Sequence, residues 1–95
     1  MMTKDEQIEL NLKNIDFKLI QNTIKIFDLT WLDKNNKKFI PSIQELSYVA
    51  KNCMERACKS EFKICRMGRF ESEVVQGSII IKYVLTQSGP TAEYF

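Results

Sequence analysis

Two of the chain's three arginines stand either side of Met67-Gly68 in the stretch Cys65-Arg66-Met67-Gly68-Arg69-Phe70, whereas lysine is used eleven times. A guanidinium presents planar, paired donors that suit bidentate contact with phosphate or carboxylate, and it stacks on aromatic faces. Gly68 leaves backbone N–H groups approachable, and Phe70 with Tyr83, or Trp31, could offer a flat partner for a base. The constellation has the chemistry of an anion site, with Arg66 and Arg69 as contacts and Lys63 and Trp31 as supports. Its ligand would be a small anionic, nucleotide-like molecule or an acidic patch on a partner protein. The competing reading places Phe70 in the core and pairs the arginines with Glu61, Glu71 or Glu73.

Other chemistries lack their residues. The chain has no histidine, which removes the commonest general base, the usual nucleophile–base triad and most zinc sites. The three cysteines are spaced C-x4-C-x6-C, with no CxxC pair, so they read as structural thiols and no metal or other cofactor is implied. With glycine only at positions 68, 77 and 89, no phosphate-cradling loop exists. Glu71 and Glu73, two apart on a strand, share a solvated face beside Lys82 and read as ion-pair residues rather than as a catalytic pair. A non-enzymatic protein is the expectation.

Charge is unevenly spread. Residues 34–69 carry nine Lys or Arg against three Glu, while residues 1–33 and 70–95 are each net −2, giving +2 overall. That total is too small, and no helix bears a basic recognition face, so duplex nucleic acid is not an expected partner. The polar opening MMTKDEQ has no apolar signal region and no long apolar run follows, so a cytoplasmic chain with reduced thiols and no membrane contact is expected.

The elements that position these residues are legible from periodicity. Ile8, Leu10 and Leu12 alternate with polar residues over 7–13, which suggests a strand; Ile8, Leu12, Ile15 and Leu19 also fall near helical spacing, so a helix is the rival. Phe17, Ile20, Ile24 and Phe27 form a helical stripe, with Asn14 or Asp16 as cap. After the polar turn DKNNKKF, Pro41 halts any helix, and Ser42 with Glu45 makes a capping box that opens a helix over Ile43–Lys59. Its buried stripe should be Ile43, Leu46, Ala50, Cys53 and Ala57.

Beyond Ser60 the chain turns β-rich. Two strands, over 61–75 and 78–86, flank Gln76-Gly77, and Gly68 should mark a bulge in the first. A two-residue loop pairs Val75 with Ser78, Val74 with Ile79, Ser72 with Ile81 and Phe70 with Tyr83, while the opposite face pairs Glu71 with Lys82 and Glu73 with Ile80. A turn is expected at Gly89-Pro90. The whole is a single small α+β domain over residues 1–95, ordered β-α-α-β-β, with two helices on an antiparallel sheet. Ile80 and Val84 would lie on the face away from the helices and, with the Tyr94-Phe95 tail, would serve homo-oligomer contacts.

The order FDLTWL, FIPSIQEL, GRF and SIIIKYVL resembles small bacteriophage and prophage accessory proteins, in which a Trp segment precedes a P-[ST]-x-x-E-L helix start and then a Gly-Phe strand. The likeness spans roughly residues 15–85. The sequence departs from that pattern at Leu32, where a second aromatic is common, and at Arg69, where a second glycine is. The resemblance implies a counter-defence factor acting by stoichiometric binding in the host cytoplasm. Such a factor either sequesters a nucleotide signal or inhibits a bacterial defence protein, such as a nuclease or a CRISPR effector. A structural or assembly subunit is the remaining alternative.

Overall fold

The computed structural model describes residues 2–84 and, as backbone alone, Thr30 and residues 92–94. It is an α+β fold. Three helices, α1 (Lys4–Asn14), α2 (Phe17–Ile26) and α3 (Ile43–Lys59), accompany β1 (Thr30–Leu32), β2 (Ile64–Met67), β3 (Phe70–Val75), β4 (Ser78–Tyr83) and β5 (Ala92–Tyr94). Strands β2, β3 and β4 form an antiparallel sheet in that order, and β1 pairs in parallel with β5.

Residues 7–13 are helical, not a strand. Thr3 and Glu6 form a reciprocal capping box, with Glu6 N–H donating to Thr3 Oγ1 at 3.1 Å and Thr3 N–H to Glu6 Oε1 at 3.2 Å. Asp5 and Glu6 in the first turn and Lys13 in the last complement the helix dipole. Ile8 and Leu12, four apart, turn inward together, while Leu10 is exposed. The alternation of apolar residues was therefore incidental to a helix with a narrow buried stripe.

α2 is capped by Asp16, which accepts from Leu19 N–H at 3.0 Å. Phe17, Ile20 and Ile24 are buried, but Phe27 lies at the C-cap and is exposed, because Asp28 takes a positive φ of 49° and the helix has ended. α3 starts at the Ser42–Glu45 capping box and runs over the residues expected. Leu46, Ala50, Cys53 and Ala57 are buried, and Val49 and Met54 join them; Ile43, in the first turn, is exposed.

The β3–β4 hairpin has the expected register throughout, from Val75 opposite Ser78 to Phe70 opposite Tyr83. Gln76 and Gly77 both take positive φ, 51° and 82°, the signature of a two-residue type I′ turn. The first strand does not bulge at Gly68. Gly68 (φ 50°) and Arg69 (φ 66°) make a second such turn, which divides the segment into β2 and β3 and sets Met67 opposite Phe70. The expected two-stranded hairpin is therefore a three-stranded meander. One face rests on α3 through Phe70, Ser72 and Ile79, packed with Trp31, Leu46 and Met54. The small residues Ala50, Cys53, Ala57 and Ser72 are almost wholly buried, which lets helix and sheet approach closely enough for Cys53 Sγ to reach the Cys65 and Phe70 carbonyls at 3.4 and 3.5 Å. The Gly89-Pro90 turn and the Tyr94-Phe95 side chains lie outside the described residues.

Candidate functional site

The four residues expected to hold an anion are put to different uses. Trp31, on β1, is fully buried in the main core beside Phe17, Leu46 and Phe70. Phe70 is itself interior, with edge-on ring contacts to Tyr83 at 4.9 Å and Phe17 at 6.3 Å between centroids. Arg69 forms the second half of the Gly68-Arg69 turn; it is only 6% exposed, and its carbonyl accepts from Val84 N–H at 2.8 Å. Lys63 takes a positive φ of 57° in the link from α3 to β2, and its Nζ donates to the Cys58 carbonyl at 2.8 Å. That contact places a cation on a last-turn carbonyl, at the negative end of the α3 dipole.

Arg66 opens onto a surface hollow. On β2 it stands opposite Glu71 of β3, which in turn stands opposite Lys82 of β4. Arg66 Nε lies 3.3 Å from Glu71 Oε1, and Lys82 Nζ lies 3.5 Å from Glu71 Oε2. One carboxylate therefore serves two cations. All three side chains are partly in solvent, so each pair contributes at most about 1 kcal/mol, and the row keeps a surplus positive charge.

One step along the same face runs a second row, Ile64–Glu73–Ile80. Ile64 and Ile80 are 55% and 51% exposed, and Glu73 between them makes no ion pair among the described residues. The two rows enclose a hollow of about 360 Å³ lined by Ile64, Arg66, Glu71, Glu73, Ile80 and Lys82. This is the face of the sheet that α3 does not cover. Sequence reading anticipated Ile80 and the Glu71–Lys82 pair here. It missed Ile64 and Glu73 as neighbours, because that needed the Gly68-Arg69 turn to fold β2 back onto β3.

Of the three cysteines only Cys53 is interior; Cys58 and Cys65 are partly buried. Cys53 is wholly buried; burial, and then the nearby Cys65 thiol, push its pKa up to about 12, so it remains protonated and unreactive at neutral pH. Among the described residues no group of His, Cys, Asp and Glu side chains could hold a metal, and no helix is long and apolar enough to cross a membrane. Comparison with protein-family models, curated proteins and solved structures finds no match for this chain.

Proposed function

We propose that this is a non-enzymatic protein that works by stoichiometric docking on a protein partner, a second copy of itself included, through the outer face of its three-stranded sheet. The observation that supports the reading is the pair of half-exposed isoleucines, Ile64 and Ile80, set on either side of Glu73 and next to the Arg66–Glu71–Lys82 row. Aliphatic side chains ringed by charge around a shallow hollow on a strand face have the makeup of an interface, with a small apolar centre and a polar rim. The likeness to bacteriophage accessory proteins supplies a setting: a counter-defence factor that inhibits a bacterial defence nuclease or CRISPR effector in the host cytoplasm. Sequestration of a small anionic ligand is supported less well, since Arg66 already shares Glu71 and Arg69 is turned into the protein.

Native mass spectrometry of the protein as isolated from its own cells tests the reading. Docking predicts a protein-sized added mass that an Ile64→Lys/Ile80→Lys variant does not carry. An added mass of nucleotide size, lost in Arg66→Ala, would overturn it in favour of ligand sequestration.

A further inference from the structure

The outer sheet face is complementary to itself. Its first row, Arg66–Glu71–Lys82, has two cations on one carboxylate; its second, Ile64–Glu73–Ile80, has a carboxylate held between two aliphatic side chains. One face thus carries a surplus cation and an unmatched anion one step apart along the strands. A two-fold interface matches that arrangement with itself, because residue i of one copy meets residue j of the other while j meets i.

The alternative route to self-association, through a strand edge, is blocked at Ile79 of β4. The backbone N–H and C=O of Ile79 point outward from the sheet, and Gln7 and Asn11 of α1 occupy both, at 3.0 Å each. Among the described residues nothing comparable covers the face, where Ile64, Arg66, Ile80 and Lys82 are all more than half exposed.

From these observations, and resting on the reading of this face as a docking surface, we infer that the protein forms a homodimer by packing the outer faces of two sheets together. Glu73 of each copy meets Arg66 of its partner, and Ile64 and Ile80 are covered at the centre. Crossed sheet packing is among the standard solutions for two such faces, and burial of the isoleucines lowers the local dielectric in which the two reciprocal ion pairs act.

The test is a charge swap between chains. Two variants are made, Arg66→Glu and Glu73→Arg. Each alone sets like charges against each other twice in its own dimer, whereas a mixed dimer restores both pairs with reversed or native polarity. Sedimentation and native mass spectrometry should find the wild type dimeric, each variant weakened by roughly tenfold or more, and a one-to-one mixture recovering a mixed dimer. Circular dichroism of each variant checks that the fold is kept, and Glu73→Gln, which removes the charge without reversing it, should weaken the dimer least. A monomeric wild type, or variants that associate as it does and show no preference for each other, would overturn the inference. Should that occur while a heterologous protein is still lost with Ile64→Lys/Ile80→Lys, the docking reading stands and only the self-partner falls. Should the isoleucine substitutions also leave every association intact, both fall.

Discussion

The side-chain amide of Gln7 is bonded to the β4 strand as though it were a residue of a neighbouring strand: its Oε1 accepts from Ile79 N–H at 3.0 Å while its Nε2 donates to the Gly77 carbonyl at 3.1 Å. Asn11, one helical turn on, donates to the Ile79 carbonyl at 3.0 Å. Helix α1 therefore does what a further strand would do at the start of β4, matching the exposed backbone groups of Gly77 and Ile79 and blocking that part of the edge against foreign strands.

Replacing Gln7 by Ala should cost about 1–2 kcal/mol, the net worth of two hydrogen bonds. Urea unfolding should show a lower midpoint at unchanged slope. Gln7→Glu keeps the acceptor for Ile79 N–H and loses the donor to Gly77, so its midpoint should fall between the two.

The contrast between α1 and α3 shows what was legible in the chain. α3 announced itself because Pro41, the Ser42–Glu45 box and a long apolar stripe all agree. α1 has an equally good box in Thr3–Glu6, but Ile8, Leu10 and Leu12 alternate and draw the eye to a strand. The polar residues Gln7 and Asn11 decide α1's role, and their partners lie about seventy positions away, beyond any local pattern. The β3–β4 register was readable because Gln76-Gly77 fixes a two-residue loop and only one pairing puts the apolar side chains on one face. The Gly68-Arg69 turn was not, since arginine is a rare occupant of positive φ. With that turn unread, Arg66 and Arg69 looked like neighbours on one bend, whereas one arginine lies on an exposed strand face and the other is buried.

The type I′ turn at Gln76-Gly77 gives paired expectations. Gln76→Asn places a residue that tolerates the left-handed region where φ is 51°, and should stabilise the hairpin by about 0.5 kcal/mol. Gly77→Ala should destabilise by about 1 kcal/mol through backbone strain at φ 82°, since a Cβ there meets nothing within 4 Å. Thermal melts of the two variants should shift in opposite directions.

The helix starts can be tested together. Thr3→Ala and Ser42→Ala each remove a side-chain acceptor, for Glu6 N–H and Glu45 N–H, and each should cost about 1 kcal/mol. The two caps lie on separate helices with no shared partner, so the double variant should lose close to the sum, as read from chemical denaturation.

Cys53 makes stability depend on pH at the alkaline end. Its folded pKa is raised from 9.0 to about 12, chiefly by burial, so both folded and unfolded thiols are protonated below pH 9 and its contribution is then fully present. Between pH 9 and about 12 the unfolded thiol ionises while the folded one does not, and stability falls. Unfolding free energies measured from pH 7 to 11 should decline more steeply in the wild type than in Cys53→Ala. Equal slopes would show that the thiol is as easily ionised in the fold as out of it.

The claim on which the functional reading turns is that the exposed face of the β2–β3–β4 sheet is the working surface. Affinity capture with immobilised wild type and with Ile64→Lys/Ile80→Lys measures it directly, because each new lysine stands opposite Glu73 and leaves the strands well paired. The prediction is that the wild type retains a protein partner in stoichiometric amount, its own copies included, and that the variant, equally folded by circular dichroism, retains none. Retention of the same partner at the same level by both would contradict the account.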